Sequence, residues 1–286
     1  MSVDRMQSQR FEHKYLVDEV TALKIRDFVR CYLELDEFGD GKPNFSYPVH
    51  SLYLDSNDLR LARETINGNK NRFKLRIRFY NNNPDTPVFF EIKRRVNSCI
   101  LKQRGGVRHD AVEWLLAGHV PDPSHLVSKD SRQLMALQRF CELAQMVHAT
   151  PQVHIAYLRE AYVHPTNNSV RVTLDRAVAA DYEPTARLST ELKKPVYPFG
   201  KDVILELKFT NHFPNWFREL VHVFGCMQCG AAKYVEGAED LGFIKINTHE
   251  APEWAAPPSS GESESEDPRI VLPKPPDLGT LSSTAN

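Results

Sequence analysis

Seven residues in the first half of the chain, Phe73–Phe79, read Phe-Lys-Leu-Arg-Ile-Arg-Phe, a strict alternation of apolar and basic side chains. A period of two predicts a β-strand, because successive side chains of a strand point to opposite faces. Lys74, Arg76 and Arg78 then share one face, and four large apolar residues share the other. A protein with such a strand must bury the apolar face of its sheet, and the basic face must contact water or anions.

Six further segments divide into an apolar and a polar face in the same way, and each predicts another strand: Arg10–Val17, Tyr47–Asp55, Val88–Arg95, Val153–Tyr162, Ser169–Leu174 and Val203–Phe209. Helical patterns lie between and beside them: Asp18–Tyr32, Asp58–Asn67, His109–Leu116, Ser131–His148 and Trp216–Phe224. Neighbouring strands with helices inserted between them favour an antiparallel α+β protein over βαβ units.

The polar faces of these strands carry more cations than acids. A single polar face of an antiparallel sheet usually lies in water, and that interpretation stays open for each strand. The excess of arginine and lysine, together with helices that need an apolar surface to cover, favours a closed antiparallel β-barrel with helices packed outside and a charged tunnel inside. Crowded cations in such a tunnel repel one another, so we expect them to bind a polyanion. Guanidinium forks and ammonium groups both recognise phosphate, and carboxylates among them suit a hard cation that bridges phosphates.

Composition changes sharply near residue 250. From Glu250 to Asn286 the chain carries seven acids and two bases and is rich in proline and serine, which predicts a disordered acidic tail. We therefore expect a folded domain over residues 1–249 and a tail over 250–286. No run approaches the roughly 20 apolar residues of a spanning helix, and Met1–Arg10 does not resemble a secretory signal. Five widely spaced cysteines predict free thiols, and we expect a cytoplasmic protein with no membrane segment of its own.

Two short motifs have a weaker interpretation. Cys226-Met-Gln-Cys229 has metal or redox spacing, but no second pair of ligands completes a zinc site, so ordinary thiols are favoured. Gly105–Gly106 predicts a turn or a mobile segment. Neither of the usual glycine-rich nucleotide loops occurs in the sequence.

Eight short motifs together resemble the catalytic domain of the vacuolar transporter chaperone (VTC) complex, a polyphosphate polymerase of the CYTH-like triphosphate tunnel metalloenzyme superfamily. They occur in the expected order between residues 10 and 237: Arg10-Phe-Glu-His-Lys-Tyr15, Ser51-Leu-Tyr-Leu-Asp55, Lys74-Leu-Arg-Ile-Arg-Phe79, Phe90-Glu-Ile-Lys-Arg94, Leu158-Arg-Glu-Ala-Tyr162, Val170-Arg-Val-Thr-Leu-Asp175, Leu205-Glu-Leu-Lys-Phe209 and Lys233-Tyr-Val-Glu-Gly237. Each motif alone is weak, whereas eight in order are specific.

The resemblance implies an ATP-dependent transferase that adds phosphoryl groups to a growing polyphosphate chain. Catalytic roles are implied for seven cations: Lys14, Arg76, Arg78, Lys93, Arg159, Arg171 and Lys208. Substrate binding is implied for three lysines and two tyrosines: Lys74, Lys102, Lys233, Tyr53 and Tyr157. Glu206 would hold Mn²⁺ or Mg²⁺, with help from Glu12 and Glu91. The implied partners are ATP and polyphosphate; a membrane partner for translocation would have to be another protein.

The chain departs from the superfamily pattern in two places. The hydrolase branch has Glu-x-Glu-x-Lys on its first strand, whereas this chain has Arg10 at the first position, which disfavours a plain triphosphatase or an adenylate cyclase. Ala232 stands where a serine hydroxyl is often found. The motifs of this sequence also include no counterpart of the transmembrane segments or of the inositol-pyrophosphate sensing domain of the eukaryotic complex.

Three other functions stay open: a hydrolase of triphosphate or short polyphosphate, a non-catalytic polyphosphate-binding module, and a nucleic-acid-binding protein. The last is disfavoured, because the basic strands lack interleaved exposed aromatic residues that stack on bases.

Overall fold

The computed structural model describes residues 10–97, 99–167 and 169–244. The predicted tail over residues 250–286 lies outside this part of the chain. Among the described residues, no helix is long and apolar enough to cross a membrane. All five cysteines, which lie within the described part, are free thiols, as the sequence predicts.

In the described part of the chain, nine strands form one antiparallel sheet. They are β1 (Arg10–Val17), β2 (Glu34–Leu35), β3 (Ser46–Asp55), β4 (Asn71–Phe79), β5 (Val88–Val96), β6 (Cys99–Val107), β7 (Thr150–Val163), β8 (Val170–Tyr182) and β9 (Val203–Thr210). Their order across the sheet is β1-β9-β8-β7-β3-β4-β5-β6, and the short β2 pairs with β7 beyond the end of β3. All seven predicted strands are present, with boundaries that shift by a few residues in most of them.

Six α-helices accompany the sheet: α1 (Glu19–Val29), α2 (Arg60–Ile66), α3 (Val112–Leu116), α4 (Ser131–Met146), α5 (Asn215–Val223) and α6 (Lys233–Asp240). Four short 3₁₀ turns lie between them: Glu37–Gly39, Pro43–Phe45, His109–Ala111 and Pro123–His125. The five predicted helices correspond to α1 to α5, with His109–Leu116 split between a 3₁₀ turn and α3. Helix α6 is an addition that the sequence pattern did not predict.

The helices cover the apolar face of the sheet, as expected from the amphipathic patterns. On one half, Leu137 and Phe140 of α4 pack against Ile77 of β4 and Phe90 of β5. On the other half, Ile25 of α1 and Phe217 of α5 pack against Leu205 and Leu207 of β9. These side chains are almost completely buried. Because one face of the long strands is used in this way, most of their polar residues lie on the opposite face. Glu160 of β7 is an exception, since it is buried on the helix side and pairs with Arg26 of α1.

The sheet curls strongly around that polar side, which we call the inner face. Lys93 on β5 lies 3.0 Å from Glu12 on β1, although these strands are six positions apart in the sheet. Only a strongly curved sheet brings strands that are this far apart into contact. The inner face is therefore concave.

The prediction of a closed β-barrel is wrong. Within the described residues, β1 forms a ladder only with β9, and β6 forms one only with β5, so the sheet keeps two free edges. The edges also carry like charges: Lys14 on one, and Lys102 and Arg104 on the other. The alternation of side chains reveals which face of a strand is polar, but it does not reveal whether the first and last strands of a sheet pair.

The predicted turn at Gly105–Gly106 is also wrong, because both glycines lie inside β6. Strand β6 runs beneath α4 at this point. A Cβ atom on Gly105 would lie 2.9 Å from the carbonyl oxygen of Gln133 and 3.3 Å from Leu137. Glycine is needed here for the close approach of a helix to a strand, and not for a turn.

Candidate functional site

The first of two charge clusters on the inner face surrounds the fully buried carboxylate of Glu91 on β5. Arg76 donates from Nε and Nη2 to Glu91 Oε2, over 2.8 and 2.7 Å. Lys102 Nζ lies 2.6 Å from Oε1, at an angle outside hydrogen-bond geometry, and Arg78 and Arg104 each lie 3.9 Å away. Burial alone raises the pKa of Glu91, but Arg76, Arg78 and Lys102 outweigh it and hold the pKa well below its ordinary value. Glu91 is therefore ionised and shared among several cations.

The second cluster surrounds Glu206 on β9, which is also buried. Lys233 donates to Glu206 Oε1 over 2.9 Å, and Lys14 Nζ lies 3.6 Å from the same oxygen. Lys208, Arg159 and Thr173 approach Oε2. Burial opposes ionisation, yet Lys208, Lys233, Lys14 and Arg159 hold the pKa of Glu206 well below its ordinary value. These cations come from β9 itself (Lys208), from its neighbour β1 (Lys14), from β7 two strands away (Arg159) and from the first residue of α6 (Lys233).

Asp175 on β8 is a site residue that the sequence analysis did not single out. Its two oxygens accept from Nε and Nη2 of Arg159, both over 2.7 Å, and Lys233 Nζ lies 2.7 Å from Oδ2. The side chain is fully buried. Its position on the same face as Arg171 was the available signal, but one aspartate near a strand end resembles a turn residue.

Tyr157 lies between the two clusters. Its hydroxyl accepts from Arg78, and the charged groups of Arg159 and Lys233 lie 5.1 and 5.0 Å from its ring centroid. Such cation–π contacts hold basic groups at fixed positions while leaving donors free. Tyr157 therefore keeps three cations from both clusters close together.

Tyr53 stands beside the first cluster and is stacked on Tyr234 of α6, with ring centroids 4.7 Å apart. Its hydroxyl accepts from Arg76 Nη1 over 3.0 Å. Burial raises the pKa of Tyr53, but the cations Arg76, Lys74 and Arg78 reverse the direction and lower it to about 7. The surrounding cations thus favour the ionised form of this phenol.

Lys74 and Lys93 stand opposite each other on β4 and β5, and Lys93 contacts Glu12. Burial lowers the pKa of Lys74 to about 7, and Lys14 and Lys93 add to that effect. Arg171 is a predicted residue that contacts neither cluster. It donates to Asp36 over 2.6 Å and to the hydroxyl of Tyr47 over 3.3 Å.

Taken together, the inner face has far more positive than negative groups. Eleven basic side chains lie on it: Lys14, Lys74, Arg76, Arg78, Lys93, Lys102, Arg104, Arg159, Arg171, Lys208 and Lys233. Five carboxylates pair with them: Glu12, Asp36, Glu91, Asp175 and Glu206. The structure thus brings the predicted residues onto one surface with an unbalanced positive charge, which an anion with several charges would neutralise.

A divalent cation fits this site only as a companion of phosphate. Among residues 10–97, 99–167 and 169–244, no three His, Cys, Asp or Glu side chains group as metal ligands, and the Cys226–Cys229 pair is no exception. Both oxygens of Glu206 already face cations. One carboxylate together with phosphate oxygens and water is the coordination that Mg²⁺ commonly takes. The donor set therefore suits an ion that is bound mainly by phosphate and anchored by Glu206.

A cavity of about 440 Å³ lies elsewhere, near Asn57, Arg63 and Phe243, and contains none of the predicted site residues. Its lining mixes one acid, one base and several neutral groups without a cluster. The two charge clusters described above lie on the inner face instead.

The chain is similar to one known family and to a protein of known structure. A family model described as the VTC domain matches residues 9–241. A Bacillus halodurans protein described as a putative adenylate cyclase is similar in structure, with 15% identity and a TM-score of 0.47, over 78% of this chain and 94% of that chain. Among curated proteins, none matches the chain.

Proposed function

Because this chain belongs to the VTC domain family, we propose that it transfers the terminal phosphoryl group of ATP to a polyphosphate chain and releases ADP. The observation that supports this proposal is the convergence of basic side chains on one concave face, where eight of them lie within 4 Å of the buried carboxylates Glu91 and Glu206. Phosphoryl transfer needs little covalent help from a protein and depends mainly on positioning and on charge neutralisation. The inner face provides both.

The two clusters suit two different parts of the substrate. Arg76, Arg78 and Lys102 around Glu91 would hold one group of phosphates, and Lys14, Lys208 and Lys233 around Glu206 would hold another. Arg159 belongs to the second cluster, faces the ring of Tyr157 between the two clusters and is fixed by Asp175, so it is well placed to stabilise the group in transfer.

In this reaction a terminal oxygen of the polyphosphate attacks the γ-phosphorus of ATP. The new P–O bond forms as the bond to the β,γ-bridging oxygen breaks, and that oxygen leaves on ADP. The attacking phosphate oxygen is already largely ionised near neutral pH, so no side chain has to remove its proton. Glu206, with Glu12 and Glu91 on the same face, is the residue that we expect to hold Mn²⁺ or Mg²⁺, which would add to the neutralisation of phosphate charge.

The test is to incubate the protein with ATP and Mn²⁺ and to size the anionic products on a gel. Long polyphosphate and an equivalent amount of ADP support the proposal. Orthophosphate without polymer would indicate a hydrolase of the same fold, and binding without turnover would indicate a polyphosphate-binding module.

The Glu206→Gln variant tests the role of this carboxylate. We expect a loss of turnover of about 100-fold or more, because a group that organises the transferring phosphates is removed. Binding of tripolyphosphate should remain, because one negative charge has been taken away from the anion site. Glu142→Gln on the exposed surface of α4 is the matched control and should behave like the wild type. Equal turnover in the two variants would contradict the role of Glu206.

A further inference from the structure

The two free edges of the sheet meet along a line that we call the seam. Strands β1 and β6 approach each other there, but in the described part of the chain neither forms a ladder with the other. Among the described residues, other parts of the chain form backbone hydrogen bonds to both edges: Cys229 N donates to Lys14 O over 2.9 Å, and Val127 N donates to Gly106 O over 3.1 Å. Gly106 N also donates to Gln133 Oε1, and Lys14 Nζ donates to Ala231 O. Separating β1 from β6 between these points breaks no backbone hydrogen bond seen among the described residues.

The cations of the inner face become more exposed toward the seam. The side chains of Lys102, Arg104 and Lys93 are 45%, 40% and 35% exposed, whereas those of Arg159 and Arg78 are 11% and 9% exposed. An anion that arrives from solvent therefore meets the seam first. From there, cations continue without a break to the buried clusters.

One ion pair crosses the seam within the described residues, between Lys93 Nζ and Glu12 Oε2 at 3.0 Å. Lys93 is about one-third exposed, so an anion in solution can reach its side of this pair, whereas Glu12 is nearly buried. Phosphate oxygens can replace Glu12 as the partner of Lys93. The arrival of a polyanion would thus weaken the one side-chain link that joins the two edges.

Helix α6 covers part of the inner face away from the seam. Tyr234 is stacked on Tyr53 and donates to Asp55, and Gly237 lies against Ile155 and Ala180. Helix α6 therefore occupies this part of the inner face, and an anion would reach the rest of the face from a side that α6 does not cover.

We propose that the seam admits polyphosphate from the side, so that the middle of a long chain reaches the inner face without the threading of a free end. This inference rests on the proposed function, because it requires polyphosphate to be the ligand. Phosphates would replace Glu12 as the partner of Lys93, and strands β1 and β6 would separate. The polyphosphate would then bind to the guanidinium groups of Arg76 and Arg159.

The test uses polyphosphate chains whose ends carry biotin. Streptavidin is attached to neither end, to one end or to both ends, and binding is followed by fluorescence anisotropy or by surface plasmon resonance. Threading needs at least one free end, whereas access through the seam needs none. We expect the doubly blocked chain to bind with an association rate within about threefold of the singly blocked chain, which controls for the bulk and slow diffusion of the cap.

Two inner-face variants show where the blocked chain binds. Arg159→Gln and Arg78→Gln remove deeply placed cations, so each should weaken binding of the doubly blocked chain at least as much as binding of the free chain. Circular dichroism and a melting curve verify the fold of each variant, and the second serves if the first does not fold.

Three outcomes would overturn the inference. If the free chain binds and the doubly blocked chain does not, access is by threading, and the proposed function survives. If the doubly blocked chain binds but neither variant weakens it, the polymer adheres to the outside. If no form of polyphosphate binds, the proposed function fails and this inference fails with it.

Discussion

At the scale of single residues, Asp175 shows how a buried acid can organise a basic site. It holds Arg159 through two hydrogen bonds and also contacts Lys233, and all three side chains are almost entirely buried. In Asp175→Asn two buried cations lose one of their two counter-charges and keep only Glu206, so we expect a loss of about 3 kcal/mol in the free energy of unfolding. Urea unfolding measures this loss.

Tripolyphosphate should restore part of the stability of Asp175→Asn, because an anion then pairs with the stranded cations. The exposed Asp202→Asn is the matched control and should unfold like the wild type. A stability of Asp175→Asn equal to that of the control would show that Asp175 does not position Arg159 and Lys233.

The lysines of the inner face make phosphate binding dependent on pH. Burial lowers the pKa of Lys74 from 10.5 to about 7 and that of Lys208 to about 8. Phosphate favours the charged form, so the complex takes up protons, and affinity should fall as the pH rises from about 7 to about 9. Calorimetric titration with tripolyphosphate in two buffers of different ionisation enthalpy measures the proton uptake.

The stability of the free protein should change in the opposite direction and rise over the same pH range. The unfolded chain keeps the ordinary lysine pKa and binds more protons than the folded chain between the two pKa values, so these lysines make stability rise with pH. Below about pH 7 their destabilising effect is complete. Lys74→Arg and Lys208→Arg keep the charge at every pH tested and should flatten the pH dependence of binding; an unchanged slope would rule out these two lysines as its source.

At the scale of elements, α6 depends on one glycine. A Cβ atom at position 237 would lie 2.6 Å from Ala180 Cβ and 2.9 Å from Ile155 Cδ1. Alanine is the better helix former, yet Gly237→Ala should lower the free energy of unfolding by about 1 to 3 kcal/mol, because α6 must move away from the sheet. Tripolyphosphate binding should weaken as well, since Lys233 begins the same helix.

Gly230→Ala is the matched control for this variant, because an added Cβ there meets open space. Thermal unfolding of the two variants gives the comparison. If Gly237→Ala is as stable as Gly230→Ala, the close approach of α6 to the inner face is not required for the fold.

At the scale of the whole molecule, the inner face has an excess of positive charge that salt should screen. Added sodium chloride should raise the melting temperature of the free protein, because the cations repel one another less, and it should weaken tripolyphosphate binding. The double variant Lys102→Gln/Arg104→Gln has a smaller excess and should show a smaller effect of salt on both quantities. Melting curves and titrations at several salt concentrations decide this, and a free protein destabilised by salt would contradict the expected repulsion.

Much of the strand pattern could be predicted from the sequence, because each long strand has to present an apolar face to helices. Phe73–Phe79 is the clearest case, and the structure extends it by two residues only. Strand β6 was missed, because Cys99–Val107 contains two glycines and no clean alternation. It becomes a strand through nine paired residues of β5 and through packing beneath α4, and neither contact is visible in a local pattern.

The composition of the candidate site was also largely predictable, because the alternation of side chains along a strand places Arg76, Arg159 and Glu206 on the polar faces of their strands. This alternation does not show which of these side chains contact one another. Asp175 gains its role from Arg159 on the neighbouring strand and from Lys233 on α6, and Lys233 is far away in the chain.

The sequence by itself determined which side chains face the helices and which face the polar side, since that choice follows from the period of each strand. Only the tertiary structure decided how far the sheet curls and where it stops. Closure depends on backbone pairing between β1 and β6, two strands whose edges carry like charges and take other backbone partners at Lys14 and Gly106. Pairing between distant edges is a property of the assembled sheet, so the sequence predicted a basic surface but not its open side.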